Sequence, residues 1–406
     1  MLIFIKRKIR FLISIPLYLL SFLVYLFIKL VSTIVVIRFG FFRNDVIGNS
    51  LFDLEYYLSY TKKYKNKYIY KDFFFPTINK YPNKFFFTLA KRSISISSLY
   101  KYIYDTIKYF NDNKHIVSMV NYSNGSRDVI GLLKTSNVNL KFNRKEQILG
   151  KDFLNRYLIK SNKFICVLVR DNAYKKKYQK HIKDNWSYHN YRNTDIEKFK
   201  ESILYLIQQG YYVIRMGKSA EKKLDINNSK FIDYPFIKDK NDFLDIWLMA
   251  NCFFCVTTGT GLDDVCVTFR KPIVEVSYLP IGYLRCNQAQ TVSIFKKLQN
   301  KKTKKFLSIK DQISYNLIDA LHKNMYDNKN IEIIDNTSKE ILEAVTEMDL
   351  KLNNRWFEDD KDIKNQEIFF DHIKKWKEFN NKIGKLNSQS RVGRSFLRNN
   401  ISWLIN

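Results

Sequence analysis

Apolar residues along the chain gather in two ways. Short continuous runs rich in β-branched and aromatic side chains occur at 33–37, 164–169, 211–214, 252–256 and 273–276. Runs of that length, bounded by charge or glycine, predict strands buried on both faces. Between them apolar positions recur every three or four residues, which predicts amphipathic helices. The clearest stripe is Ile196, Phe199, Ile203, Leu206 and Ile207, opened by Thr194 with Glu197 at capping-box spacing and closed by Gly210. Leu99, Ile103, Ile107 and Phe110 follow Ser97 and Ser98, and Leu244, Ile246, Trp247 and Leu248 follow Asn241 or Asp242. Asn143 and Glu146 also have capping-box spacing and open a helix to about Leu158, which carries the chain from one domain into the next. Strand and helix alternate throughout, so the fold class is α/β, and the length favours two domains.

Elsewhere the pattern is weaker. Residues 59–90 are basic and tyrosine-rich, broken by Pro76 and Pro82, and predict short strands and loops around the phenylalanine triplets 73–75 and 85–87. Residues 116–122 predict a strand ending in Ser123-Asn124-Gly125-Ser126. Beyond Pro280 the pairs Lys296-Lys297, Lys301-Lys302 and Lys304-Lys305 mark a solvated basic segment, and helices are expected over 308–324, 337–352 and 363–383. The division expected is a hydrophobic segment at 1–32, a first α/β domain at 33–159, a second at 160–300, and bracing helices at 301–406.

The amino end changes the picture. Lys6, Arg7, Lys8 and Arg10 precede an uncharged run from 11 to 28. As a helix that run is about 27 Å long, just short of the roughly 30 Å of a bilayer core. A short anchor, a helix lying in the interface and a buried core helix all fit it. With Lys29 and the first strand following at once, membrane association is expected on the same side as the folded body. Basic residues on both flanks mark that side as cytoplasmic.

Charge adds a class of partner. Over 406 residues, 69 Lys and Arg against 39 Asp and Glu leave a net charge of +30. Lys, Ile, Asn, Tyr and Phe are over-used together, so drift toward AT-rich codons and selection for anionic partners both account for it. The partners implied are an anionic membrane surface and phosphorylated substrates. Nucleic acid is not expected, because the lysines are dispersed and no recognition motif occurs. Cys252 and Cys255 have zinc spacing but no second pair. Together with Cys166, Cys266 and Cys286 they read as small buried residues in a reducing compartment.

Candidate chemistry lies where strands end, because open parallel sheets bind ligands at their carboxyl edge. Arg170-Asp171, Arg215-Met216-Gly217 and Arg38-Phe39-Gly40 each follow a predicted strand, and Arg192-Asn193 closes a basic loop after the second of the five. The turn Thr258-Gly259-Thr260-Gly261 is either an ordinary strand-to-helix connection or a nest whose amides meet an anion. It lacks the lysine of a Walker loop. Asp263-Asp264 suits the first turn of a helix better than a metal, and no metal is expected.

Taken together, FICVLVRDNAY, YRNTDIE, GYYVIRMG, DFLDIWLMANCFFCVTTGTGLDDV and RKPIVEV resemble a family of bacterial surface-polysaccharide glycosyltransferases. IRFGFFRNDVIGN, IDNTSKEILEAVTEMD and RVGRSFLRNN extend the resemblance over nearly the whole chain. It implies a GT-B-like pair of Rossmann-like domains facing a cleft. It also implies metal-independent transfer from a nucleotide-diphosphate sugar to a lipid-linked or cell-surface glycan, without cofactor, at the cytoplasmic face of the bacterial inner membrane. More distantly, Arg170-Asp171 resembles the His-x-Arg element of fucosyltransferases, whose arginine meets the donor diphosphate. On this reading Arg170, Arg192, Asn193, Arg215, Gly217, Thr258, Gly259, Thr260 and Gly261 hold the donor. Arg38, Arg43 and Asn49 lie on the acceptor side, Asn49 standing where the family is expected to carry histidine. Asp171 is a general base or orients Arg170, and Asp45 and Asp53 are candidates for activating the acceptor hydroxyl. A non-catalytic glycan- or nucleotide-binding scaffold with the same shell is the alternative.

Overall fold

A computed structural model of the chain describes residues 2–64, 69–78, 81–160, 163–178, 186–285 and 290–405, without the side chains of 2–14 and 186–188. Cys286, the basic cluster at 6–10 and part of the basic loop after Arg170 therefore lie outside the described side chains. The chain divides into a smaller unit, Met1–Ser126 with Asn139–Lys141, and a larger one, Arg127–Val138 with Phe142–Asn406.

The smaller unit is built on a parallel sheet of β1 (Val35–Phe42), β2 (Ile69–Pro76) and β3 (Ser95–Ile96), in that order. Phe74 is buried against Tyr57 of the helix Ile47–Lys63, and Phe42 against Phe86 and Phe87. Two predicted details differ. Residues 116–122 contribute only a bridge from Ile116 to Phe39, because Ser118 accepts from the Asn121 amide and turns the chain into the helix Met119–Tyr122. The triplet 85–87 lies on the helix Lys84–Ser93, where the Asn83 side chain caps the Phe86 amide. The amino-terminal helix Leu2–Val31 lays Tyr25 and Ile28 against Phe39 and Ile107. Among the described residues no helix is long and apolar enough to cross a membrane.

The larger unit carries β4 (Phe164–Leu168), β5 (Tyr212–Arg215), β6 (Phe231–Asp233), β7 (Cys255–Thr257), β8 (Ile273–Tyr278), β9 (Thr291–Phe295), β10 (Lys297–Asn300), β11 (Ile331–Ile334) and β12 (Ser390–Val392). Seven of these form a parallel sheet in the order β12-β9-β8-β7-β4-β5-β6, while β10 and β11 pair antiparallel. The chain steps outward from β4 through β6, returns to the other side of β4 as β7, and steps outward again. That reversal places a switch point at the carboxyl ends of β4 and β7. Burial of both faces accounts for the continuous apolar runs: Ile165, Val167, Val256 and Val274 are almost wholly enclosed.

Local signals hold with three adjustments. Asn143 with Glu146 and Thr337 with Glu340 form their capping boxes, and Gly210 takes the left-handed φ of 90°. Thr194, by contrast, does not cap. Its hydroxyl is buried without a partner and its amide is held by the Arg170 carbonyl at 3.2 Å, while Asp195 caps instead, accepting from the Glu197 amide ahead of the helix Lys200–Gln208. The helices expected over 308–324 and 363–383 each break in two, giving Ile309–Ser314 and Lys323–Asp327, then Asp360–Lys374 and Phe379–Lys382. The carboxyl third is more than bracing helices, since it supplies β12 to the main sheet. Cys166, Cys252, Cys255 and Cys266 are buried free thiols.

Candidate functional site

Main-chain pairing brings the two strand ends of the switch point together. The Arg170 amide donates to the Thr258 hydroxyl at 2.9 Å, and the Thr258 amide donates to the Leu168 carbonyl at 3.2 Å. Arg192 reaches the same turn, its Nη2 donating to the Gly259 carbonyl at 3.0 Å. The Nε atoms of both arginines are buried without a hydrogen-bond partner, and neither guanidinium pairs with a carboxylate among the described residues. Asn193 adds a buried side-chain oxygen, also without a partner.

Cations dominate this edge of the sheet. Burial and the neighbouring Arg192 pull Arg170 down to about 10. Burial, then Arg170 and Arg192, pull Lys175 down to about 8. His189 falls to about 4 through burial and the repulsion of Arg192, Arg170, Lys175 and His322, so it is neutral at pH 7. Groups that depress one another in this way gain most from an anion placed among them.

The turn 258–261 plays a different part from an anion nest. The Gly259 amide is taken by the Thr257 hydroxyl, the Thr260 amide by Asp263, and the Leu262 amide by the Thr260 hydroxyl. The helix that follows, Asp264–Thr268, is one short turn. Its Gly261 is exposed. What the turn offers is the Gly259 carbonyl that aims Arg192. Asp263 is itself held by Arg285 at 3.0 Å, which also meets Asp264 at 2.9 Å and lies 3.6 Å from Glu275. Burial pushes the Glu275 carboxyl up to about 7.

Arg215 stays out of the cluster. It is buried inside the sheet, bonded to the Lys222 carbonyl at 2.7 Å and paired with Asp233 on β6 at 3.3 Å. Gly217 adopts φ 141° beside Ser219 and Pro235, a turn requirement. Asp171 neither contacts Arg170 nor stands free. One oxygen accepts the Ala173 amide and the other the Glu221 amide, each at 2.9 Å.

One contributor is invisible in the pattern. Lys296, counted by sequence among the solvated lysines, is 2% exposed. Its ammonium donates to the carbonyls of Tyr191 and Asn193, both at 2.8 Å, and pairs with Asp335 at 2.5 Å. It grips the backbone on either side of Arg192.

The residues expected on the acceptor side belong to the smaller unit. Arg38 is committed: its Nε and Nη2 hold both oxygens of Asp72 at 2.7 Å, Nη1 reaches Tyr122, and the guanidinium lies 3.9 Å over the Tyr70 ring. With Tyr57 and Tyr60 these residues line a cavity of about 500 Å³. Arg43 pairs with Asp45 at 3.0 Å near the surface, and Asn49 is half-buried on the helix Ile47–Lys63. Asp53 is buried, accepting from the hydroxyls of Ser123 and Ser126 at 2.6 and 2.8 Å, so it ties down the 123–126 turn.

No family model and no curated protein sequence matches the chain, so the particular polysaccharide family suggested by its motifs gains no support there. Among solved structures it is similar to a glycosyl transferase family 9 protein from Veillonella parvula DSM 2008, at 10% identity and TM-score 0.38 over 64% of this chain and 85% of that one. It is also similar to the E. coli ADP-heptose lipopolysaccharide heptosyltransferase II, at 13% identity and TM-score 0.40 over 78% of this chain and 99% of that one. Both of those neighbours are glycosyltransferases.

Proposed function

We propose that the cation cluster at the β4–β7 switch point holds the diphosphate of a nucleotide-diphosphate sugar, and that the protein transfers that sugar to a lipid-linked or cell-surface glycan. The observation that carries this reading is the pair Arg170 and Arg192, half-buried at one carboxyl edge with their Nε atoms enclosed and unbonded, and with no ion pair to a carboxylate among the described residues. Two guanidiniums and a lysine supply the charge-assisted hydrogen bonds a diphosphate accepts, and they stabilise the negative charge that grows as it leaves. No metal is needed for that role. Asn193 and the neutral His189 add polar contacts beside the clamp.

The scaffold alternative has one observation in its favour. Asp171, the nearest candidate base, spends both oxygens on backbone amides. Titration of purified protein with nucleoside diphosphates, monophosphates and nucleotide sugars tests the binding step. Diphosphates should bind far more tightly than monophosphates, and Arg170→Ala should abolish that difference while leaving the melting curve intact. Normal donor turnover by Arg170→Ala would refute the clamp. Donor binding without hydrolysis or transfer to any glycan would favour the scaffold.

A further inference from the structure

From residue 15 to residue 28 the amino-terminal helix is apolar nearly all round, yet only one side of it is covered. Ser21, Tyr25 and Ile28 are buried, a stripe at helical spacing against the unit's own core. The rest of the surface is large and oily: Leu19, Leu20, Phe22, Leu23, Leu26 and Phe27 are exposed, and Leu30 is 77% exposed. A helix without a polar face calls for a second apolar environment, and a contiguous patch of this size marks a docking surface.

Tethers on the covered side fix how that environment approaches. The Tyr18 hydroxyl donates to Asp105 at 3.2 Å and the Tyr25 hydroxyl to Asp112 at 3.3 Å. Lys29 pairs with Asp112 at 3.2 Å, and Lys114 donates to the Ser32 carbonyl at 3.1 Å. These bonds run from residue 18 to residue 32 along one flank. Lipid cannot surround a helix held to a folded domain over that length.

We infer that residues 15–31 lie in the plane of an anionic bilayer surface, half-sunk on the Leu19–Leu23–Phe27 side, rather than across it. Charge selects the occupant. Lys6, Arg7, Lys8 and Arg10 precede the apolar stretch on the same helix, and Lys108 is exposed on the helix Tyr100–Tyr109 packed against it. Basic residues flanking an apolar helical face bind anionic lipid, each adding electrostatic attraction to the burial of the face. Aromatic rings rim the patch: Phe110 stacks on Tyr25 at 5.1 Å and Tyr109 is almost fully exposed. Such rings favour the headgroup level.

The test uses the full chain with phosphatidylcholine vesicles, with and without phosphatidylglycerol. Sedimentation should show binding that rises with phosphatidylglycerol and is lost in the double variant Leu23→Glu/Phe27→Glu. Both sites are exposed, so that variant should keep its melting temperature and its nucleotide binding. Single spin labels at positions 19, 23 and 27 should report one common depth. A depth that changes steadily by about 1.5 Å per residue would mean a spanning helix and overturn the inference. So would failure to bind either vesicle, or a solution dimer dissolved by the same two substitutions. Because nucleotide binding is read separately, loss of the donor reading would leave this result standing.

Discussion

Arg192 and Lys296 are joined through backbone rather than through their side chains. The lysine binds the carbonyls of the residues before and after the arginine, at 2.8 Å each, while the arginine reaches Gly259. One buried cation thus holds another in place. Replacing Lys296 by Met should leave the sheet folded but free the 191–193 backbone. The expected outcome is weaker nucleotide-diphosphate binding with a largely unchanged spectrum of secondary structure, checked by calorimetry and far-UV circular dichroism. Unaltered affinity would reduce Lys296 to a packing role.

The two clamp arginines should trade stability against binding. Each hydrogen bond from a charged group is worth about 1.5–3 kcal/mol, or roughly 10- to 150-fold in affinity. Arg170→Met and Arg192→Met should each lose that much toward a nucleoside diphosphate. Neither should much lower the melting temperature of the free protein, because each removes a half-buried charge that makes no ion pair among the described residues, Arg192 giving up only its bond to the Gly259 carbonyl. A large drop in melting temperature would show that these arginines serve the fold.

Lys175 gives the site a pH signature. Its folded value of about 8 lies below the ordinary 10.5, so the unfolded chain binds more protons between those limits. Stability of the free protein therefore rises as pH climbs from about 8 toward 10.5, and the contribution is unfavourable below that window. A bound diphosphate should raise Lys175 and take up a proton near pH 8, and affinity should fall as pH rises through it. Calorimetry in buffers of different ionisation enthalpy reads the proton directly. No uptake in wild type, or the same uptake in Lys175→Met, would detach this lysine from the site.

Gly259 sits at φ 78°, and a Cβ there would come within 2.9 Å of the Tyr278 ring and 3.2 Å of Arg192 Nη2. Gly259→Ala should cost about 1–2 kcal/mol for the left-handed backbone alone. It should also displace Arg192 and weaken diphosphate binding. Chemical denaturation gives the first number and titration the second.

Arg285 is the counter-ion of a buried acidic group of three, Asp263, Asp264 and Glu275. Removing one member of such a network costs about 3–5 kcal/mol, so Arg285→Met should destabilise the larger unit strongly. The Glu275 carboxyl, raised to about 7 from 4.5, holds its proton in the folded state where the unfolded chain has lost it. Its contribution to stability is present below pH 4.5 and is lost as pH rises to about 7. Glu275→Gln should flatten that slope in urea midpoints measured across the range.

The β4-to-β5 unit was legible because every local signal agrees: a β-branched run, a helical stripe, a glycine stop and a second run. Arg170 and the 258–261 turn could be paired from the carboxyl-edge rule alone. Arg215 could not be told from Arg170 by sequence, since both end a strand, and only the neighbouring β6 brings Asp233 to neutralise one of them. Lys296 was hidden for the opposite reason. Nothing local marks it as different from Lys297, and its burial depends on carbonyls more than a hundred residues away. β12 escaped because three residues carry no period, and its pairing with β9 is wholly tertiary.

That edge strand has a consequence in time. Val392, Phe396, Trp403 and Leu404 sit in the same core as Ile165 and Val274, and Trp403 stacks on Phe295 at 5.9 Å. On the ribosome, β4 through β9 emerge long before the segment that seals them. The core of the larger unit is therefore completed only when residues 390–404 arrive. A stop codon ahead of Ser390 would do more than trim a tail: it would leave the sheet that carries Arg170 without part of its core.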